Sequence, residues 1–288
     1  MGLEEIFSKG GKDAIKALLK AYGLKTEKSY LLEPRGIRAS VLSKACVRAV
    51  VLHERLKVKL TAEESASLRL AYAHGHGLHH AMQNIVFPEM GILRGRWRCK
   101  KPDCGKVYGN CVEGQKEIDA AVRRPESCVA CGTSSGFDYD EYDLYDKEYK
   151  LSAHCDGFIA IPGRPGLGVV ELKTTALGWK VKTGPFPEHM RQLQIYLWLT
   201  GAQWGEILYW DKQSDEPNKF AEHFVVRDEA EISKLKLMLL SLWEALDGGA
   251  LPERVCRSPD CAQAEKCPVV EACFQDWKRE ADCAVGLF

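Results

Sequence analysis

The sequence predicts an α/β fold in which a mixed sheet is flanked by helices, and three observations lead to it. Two apolar, β-branched runs, residues 150–161 and 168–174, are separated by a turn rich in Pro and Gly and predict a hairpin. A well-bounded helix follows, with Pro187 at its first position and Gly201 after its last turn. Beyond it come two further strand-like runs, at 206–211 and 220–226, and a helix capped by Asp228 that ends at Gly248 and Gly249.

Length and composition describe an ordinary globular protein. The 288 residues suggest about two domains, or one domain with an insertion. Lys and Arg together number 40 and Asp and Glu together number 40, so the formal net charge is zero. A nucleic-acid site would therefore have to be a local patch of positive charge. No apolar run approaches the roughly 20 residues that span a bilayer, and the start of the chain lacks a secretory layout. We therefore expect a soluble, cytoplasmic protein that does not enter a membrane.

The sequence of the N-terminal third predicts helices. The opening residues favour a short amphipathic helix, and residues 38–57 form a helix-like apolar run in which Cys46 alone would be a small buried hydrophobe. Thr61 and Glu64 make a capping box that predicts the start of a long helix. One face of that helix is formed by residues that recur at spacings of four and three, namely Leu68, Tyr72, Gly75, His79, Met82 and Val86. His79 therefore lies on this face. A histidine on such a face is more often a core residue, but its imidazole also suits a divalent metal.

Twelve cysteines in a chain without an export signal favour metal binding or buried thiols over disulfides. Two pairs, Cys99 with Cys104 and Cys128 with Cys131, are each followed closely by glycine and together fit a structural Zn²⁺ with tetrahedral geometry. The stretch is also locally basic, which makes it either a DNA contact or a solvated, zinc-stapled loop; its cations are Arg94, Arg96, Arg98, Lys100, Lys101 and Lys106.

The predicted hairpin carries three converging charges. Asp156 stands near the end of its first run, and period 2 places Glu171 and Lys173 on the same sheet face. Carboxylates on a buried sheet are costly unless they pair with a cation or bind a metal, and carboxylate oxygens suit Mg²⁺ or Mn²⁺. The alternative is a surface turn at Asp156 followed by an ordinary ion pair on an edge strand.

The helix that follows carries Gln192 and Tyr196 on one face among large apolar residues, which a simple core helix would not favour. The succession HCDG, VELKT and QLQIY resembles the PD-(D/E)XK nuclease superfamily in its RecB-like exonuclease branch, which includes CRISPR-associated iron–sulfur exonucleases and related phage nucleases. The resemblance implies a restriction-endonuclease-like mixed sheet, with Asp156 and Glu171 as metal ligands and Lys173 as the catalytic lysine. Gln192 and Tyr196 match the branch's Q-x-x-x-Y motif.

The same resemblance extends to both ends of the chain. Gly75 and His79 match the G-x-x-x-H helix of the branch, so His79 would be the third metal ligand. The tail contains Cys256, Cys261, Cys267 and Cys273 within eighteen residues, which either bind zinc together or supply three ligands to a [4Fe–4S] cluster. The resemblance favours the cluster, held by Cys46, Cys256, Cys267 and Cys273, with Cys261 as competitor for the place of Cys256. The family often has a further cysteine where this chain has Ala264.

These expectations combine into one organisation. Residues 1–92 form the N-terminal helical part of the nuclease domain, 93–136 the zinc-ribbon insertion, 137–250 the catalytic core and 251–288 the Cys-rich cluster-binding segment. The implied function is a Mg²⁺- or Mn²⁺-dependent DNA exonuclease acting on single strands or duplex ends, with protein partners in recombination or replication and a phage-borne gene as one origin. A catalytically inactive nucleic-acid-binding module is the alternative, and a zinc and iron–sulfur redox protein is a third hypothesis that the D…ExK…Q-x-x-x-Y series disfavours.

Overall fold

The structure is a computed structural model, and it describes residues 24–28, 32–58, 60–64, 66–134, 136–214 and 219–275. The opening helix predicted from the sequence lies outside these ranges. Within them the strands are, in chain order, β1 (Leu24–Lys28), β2 (Leu32–Glu33), β3 (Gly36–Arg38), β4 (Leu60–Glu64), β5 (Leu93–Arg94), β6 (Arg96–Cys99), β7 (Val107–Tyr108), β8 (Phe137–Asp140), β9 (Asp143–Asp146), β10 (Leu151–His154), β11 (Gly157–Ile159), β12 (Gly168–Thr175), β13 (Trp204–Asp211) and β14 (Phe220–Val226).

The helices of the same ranges are α1 (Ala39–Leu42), α2 (Val47–Leu56), α3 (Ala66–Ala81), α4 (Phe87–Glu89), α5 (Glu117–Ala120), α6 (Gly178–Val181), α7 (Pro187–Thr200), α8 (Glu229–Leu246) and α9 (Val270–Cys273). A π-helical turn, Met82–Val86, joins α3 to α4. Across the described residues, every helix is too short or too polar to cross a lipid bilayer.

The main sheet has five strands in the order β14, β13, β12, β11, β5. The predicted hairpin is confirmed as the antiparallel pair β11 and β12, and β12 runs parallel to β13 because α7 provides the crossover between them. Proline at its N-terminus begins α7, and Gly201, with a φ of 79°, ends it in a left-handed conformation. The fold is thus mixed α/β, with mixed sheets flanked by helices, as the sequence predicts.

Three smaller sheets surround the main one. One has the order β2, β3, β10, β9, another has the order β7, β6, β8, and β1 pairs with β4. The expectation of one strand over 150–161 is wrong, because this run is divided between β10 in the four-stranded sheet and β11 in the main sheet. Cys155 and Asp156 occupy the break, where the chain passes from one sheet to the other.

Alternate residues of β12 face two different cores. Val169 packs with Leu193 of α7 and Ile207 of β13, in a core that α2 and α8 complete. Val170 and Leu172 face the opposite side, where Met82 and other apolar residues near the three-stranded sheet cover them. Glu171 and Lys173 have the parity of Val169, so they project toward the side of α7.

Two expectations for the N-terminal third are wrong. The Thr61–Glu64 capping box lies in β4, which forms an antiparallel ladder with β1, and α3 begins only at Ala66. The apolar face of α3 is covered only toward its C-terminal end, since the side chains of Leu68 and Tyr72 are 39% and 48% exposed. The run 38–57 forms two helices, α1 and α2, and Cys46 caps the second instead of lying inside one helix.

Candidate metal and active site

Asp156 is fixed where β12 loses its strand partner. The ladder between β11 and β12 ends at the pair Gly157 and Val170, which leaves the next residues of β12 without a neighbour on that side. The Asp156 carboxylate substitutes for that neighbour, because its Oδ2 accepts the backbone N–H of Leu172 at 2.6 Å. Its Oδ1 lies 3.0 Å from Nδ1 of His79. Asp156 is only 7% exposed, so its carboxylate depends on these partners in place of water.

Glu171 and Lys173 lie on the same face of β12 and form an ion pair. Burial raises the pKa of Glu171 to about 7, although the positive charge of Lys173 opposes this shift. Burial alone would lower the pKa of Lys173, but the Glu171 carboxylate outweighs it and raises that pKa. The pair is therefore largely buried, and Glu171 loses its proton less readily than an exposed glutamate.

The predicted helix residues complete this cluster. Lys173 Nζ donates to Oε1 of Gln192 at 3.3 Å, and Nε2 of Gln192 donates to the Tyr196 hydroxyl at 2.5 Å. The two α7 residues are one helical turn apart, which explains why both reach the same face of β12. Burial holds the pKa of Tyr196 well above its ordinary range, so the phenol stays protonated. The sequence-predicted residues Asp156, Glu171, Lys173, Gln192 and Tyr196 are thus brought together with His79.

His79 reaches the site from the other side of the sheet edge. A Cβ placed on Gly75 would lie 3.8 Å from Oγ1 of Thr174, so the helix runs close to the end of β12. Burial lowers the pKa of His79, but its hydrogen bond and charge contact with Asp156 outweigh burial and raise that pKa. The imidazole is therefore oriented by Asp156.

Glu141 and Gln83 belong to the site and are absent from the sequence prediction. Ligand atoms of His79, Glu141 and Asp156 all lie within 4.8 Å of one another. Gln83 Nε2 donates to Oε1 of Glu141 at 2.8 Å and to the backbone oxygen of Asp156 at 2.8 Å. Burial and the nearby Asp156 charge raise the pKa of Glu141. Gln83 follows His79 by four residues, a spacing that could have indicated it, whereas Glu141 stands in an acidic run in which nothing singles it out.

The arrangement fits a hard divalent cation. Asp156 and Glu171 are almost fully buried. Among the described residues of this site, the ligand atoms that lie within 4.8 Å of one another are those of His79, Glu141 and Asp156, whereas Glu171 lies outside that group and pairs with Lys173. Like charges at such short range repel each other and destabilise the cluster unless a cation compensates them. Carboxylate oxygens with one imidazole are a donor set suited to Mg²⁺ or Mn²⁺.

The four predicted cysteines of the ribbon converge. Sγ of Cys99 lies 3.8 Å from Sγ of Cys131, and Sγ of Cys104 lies 3.6 Å from Sγ of Cys128. All four sulfur atoms are within 4.8 Å of one another. A tetrahedral Zn²⁺ with Zn–S bonds of about 2.3 Å requires S···S separations of about 3.8 Å. The donor set and its spacing therefore fit a structural zinc ion.

Tyr108 contacts one sulfur atom of this group directly. Its hydroxyl donates to Sγ of Cys128 at 3.3 Å and lowers the pKa of that thiol to about 6. The Tyr108 ring also packs edge-on against Phe137 in the three-stranded sheet. One thiol of the set is thus prepared as a thiolate, which is the form that binds metal.

The tail cysteines gather around a second and larger space. A cavity of about 180 Å³ is lined by all four predicted cluster ligands together with Ala49, Ala264 and Phe274; the ligands are Cys46, Cys256, Cys267 and Cys273. Cys261 stays beside Cys256, whose pKa it raises together with burial, but does not line the cavity. The nearby apolar residues Leu52 and Val269 pack with Cys273. The cavity is thus bounded by thiols from α2 and from the tail.

The basic surface expected on the ribbon is neutralised in part. β6 pairs with β8 in a register that places Asp140 beside two arginines, 3.0 Å from Arg96 and 2.9 Å from Arg98. Lys100 pairs with Asp138 at 2.7 Å. Three of the six cations named from the sequence therefore have acidic partners, which favours the solvated-loop alternative for that strand.

Comparison with known proteins gives weak similarities. No family model matches the sequence, and no curated protein matches it significantly. Among solved structures, the exonuclease LHK-Exo from Laribacter hongkongensis, in complex with dAMP, is 16% identical with a TM-score of 0.40, over 73% of this chain and 87% of that one. A protein named SSO0001 is 19% identical with a TM-score of 0.39, over 91% of this chain and 98% of that one. A phage-related exonuclease from Haemophilus somnus 129PT is 17% identical with a TM-score of 0.30, over 38% of this chain and 60% of that one.

Proposed function

We propose that the protein is a metal-dependent DNA nuclease of the PD-(D/E)XK type that works as an exonuclease. The observation that carries this proposal is the convergence of His79, Asp156 and Glu171 with the chain Lys173, Gln192 and Tyr196. A structural ion pair would need neither a contact between the half-buried His79 and the buried Asp156 nor a hydrogen-bonded amide and phenol behind the lysine. Each group has a role in phosphodiester hydrolysis.

His79, Asp156 and Glu171 would hold the divalent cation, and Glu141 lies close enough to His79 and Asp156 to take part. Such a cation lowers the pKa of bound water and stabilises charge that develops on the phosphate. Lys173 would orient the attacking water through its ammonium group. Gln192 fixes the ammonium by accepting a hydrogen bond, and Tyr196 fixes Gln192, so the lysine has a defined direction.

Two further metal groups are proposed as structural. Cys99, Cys104, Cys128 and Cys131 would hold Zn²⁺ in the insertion 93–136, supported by sulfur spacings of 3.6 and 3.8 Å. A [4Fe–4S] cluster would occupy the cavity lined by Cys46, Cys256, Cys267 and Cys273. The cluster would close a loop of more than 200 residues, where cross-linking restricts the unfolded chain most.

The proposal extends to the organisation of the chain and to its substrate. Residues 1–92 and 137–250 would form the nuclease body, with residues 251–288 binding the cluster. DNA single strands or duplex ends would be the substrates. Two of the structural neighbours are named as exonucleases, but their TM-scores are 0.40 and 0.30. The proposal therefore rests on the residues of this chain.

The test is cleavage of end-labelled DNA by protein purified without oxygen. Single-stranded and blunt duplex substrates of one sequence are incubated with Mg²⁺, with Mn²⁺ or with no added divalent ion, and products are resolved by length. The proposal expects metal-dependent, progressive shortening from one end. DNA binding without cleavage under every metal condition would instead identify an inactive nucleic-acid-binding module.

A further inference from the structure

An open groove lies between α2, α8 and the start of the tail, next to the cavity enclosed by the cysteines, with which it shares Cys46, Val255 and Gln263. It encloses about 660 Å³, and its floor includes Ala45, Val47 and Met238. Leu237 and Val255 at its edges are 65% and 63% exposed. The groove is open along its length, and its lining combines apolar side chains with cations.

The charge of this groove is strongly positive. Lys44, Arg48, Arg191 and Lys234 line it, and Glu253 is the one acidic residue of the lining. The exposed Lys234 lies 3.4 Å from the half-buried Glu231, and among the described residues Lys44, Arg48 and Arg191 form no ion pair. Arg48 is 8% exposed and donates to the backbone oxygen of Pro252 at 2.9 Å, so it holds a fixed positive charge beneath the groove. A protein with zero formal net charge thus concentrates cations here.

Part of the groove is formed by the helix that also carries Gln192 and Tyr196 of the candidate active site. Arg191 directly precedes Gln192 on α7, and Lys44 follows α1, which packs beside α7. Burial, with the positive charges of Lys173 and Lys44, lowers the pKa of His189 to about 3. His189 is therefore neutral, and it lies two residues before Arg191 on α7.

We propose that this groove binds the sugar–phosphate backbone of the single DNA strand that enters or leaves the active site. The inference rests on the proposed function, and it specifies the surface along which the DNA strand would lie. Cations along the groove neutralise successive phosphates, and its apolar floor accepts unstacked bases without reading their sequence. A duplex presents its bases internally and would use only the cations, so the groove favours single-stranded DNA.

The experiment separates binding from cleavage. Full-length Glu171→Gln protein, with no added divalent ion, is titrated with a fluorescently labelled oligo-dT strand at several salt concentrations, and anisotropy is recorded. The groove variant adds Lys44→Glu and Arg191→Glu in the same chain. The control adds Lys106→Glu, an exposed ribbon lysine without an ion pair among the described residues. Iron content and thermal unfolding verify that each protein is folded.

The groove variant should bind the strand at least tenfold more weakly. Its slope of log affinity against log salt should shrink by about 1.4, because two cations no longer neutralise phosphates of the single strand. The Lys106→Glu control should bind like its parent. Equal affinity and slope for groove variant and parent would overturn the inference, as would a loss found only in the ribbon variant. Wild-type protein that binds through the groove but never cleaves would contradict the proposed nuclease activity and leave the groove standing.

Discussion

The carboxylate of Asp156 accepts the backbone N–H of Leu172 at 2.6 Å, at the point where β11 leaves β12. One side chain thereby satisfies a backbone donor that has lost its strand partner and presents its other oxygen to His79. The break between the two sheets thus leaves the Leu172 N–H without a strand partner and also places the Asp156 carboxylate that accepts it.

This dual role predicts different results for two substitutions of Asp156. Asp156→Asn keeps an acceptor oxygen for the Leu172 N–H but loses the charge that a cation requires, so the protein should have nearly the wild-type free energy of unfolding and be inactive. Asp156→Ala should also be inactive and, because it leaves the buried N–H unpaired, should be about 1–3 kcal/mol less stable. Urea unfolding and the cleavage assay measure the two effects. Equal stability of the two variants would contradict the structural role of the carboxylate.

Glu141 should contribute to metal affinity. Glu141→Gln keeps an oxygen that can accept from Gln83, so it changes the charge with little change in shape. We expect the Mn²⁺ concentration for half-maximal cleavage to rise about 10- to 100-fold. Asp138→Asn is the matched control, since Asp138 lies in the same acidic run and pairs with Lys100. An unchanged Mn²⁺ requirement in Glu141→Gln would remove this residue from the site.

Burial of Glu171 predicts a pH effect on stability. Its pKa rises from 4.5 to about 7 on folding, so it favours the folded state fully below pH 4.5 and this contribution is lost as pH rises through about 7. Without added divalent ions, the wild-type melting temperature should therefore fall more between pH 5 and pH 8 than that of Glu171→Gln. Because a cation binds the ionised carboxylate, wild-type Mn²⁺ affinity should rise over the same interval. Parallel melting profiles for the two proteins would refute a buried, titrating Glu171.

The two cysteine groups should differ when broken. Cys99→Ser should lose zinc and keep the folded main sheet, because its four sulfur atoms close a site within one insertion. Cys273→Ser should lose iron and unfold at markedly lower temperature, since Cys273 joins the tail to α2. Cys111→Ser, an exposed cysteine outside both groups, serves as control. Element analysis should find zinc and about four irons per wild-type chain; zinc in both sites with no iron would overturn the cluster assignment.

Much of the site follows from local sequence patterns. Period 2 in β12 aligns Glu171 with Lys173, and helical spacing in α7 aligns Gln192 with Tyr196, so both pairs are fixed within one element. Their meeting requires only the parallel pairing of β12 and β13 across α7. These features depend on few long-range contacts and could be predicted.

Other features depend on register or on distant partners. Arg96 and Arg98 look like a basic patch until the register of β6 with β8 places Asp140 beside them. The Thr61 capping box is overruled by the ladder between β4 and β1, which local propensity does not contain. Glu141 joins the site only because Gln83, in the π-helical turn after α3, holds its carboxylate against Asp156.

The most direct test of the proposed nuclease centre compares wild-type protein with Glu171→Gln in the cleavage of end-labelled single-stranded DNA, with Mn²⁺ added and zinc and iron contents verified as equal. Gln has nearly the shape of Glu and keeps an oxygen that can accept from Lys173, and Glu171 belongs to neither cysteine group, so the substitution should leave the fold and both metal groups intact. The wild type should shorten the strand progressively, and Glu171→Gln should give no detectable product. Equal cleavage by the two proteins would contradict the proposal, because the nuclease centre would then lie elsewhere.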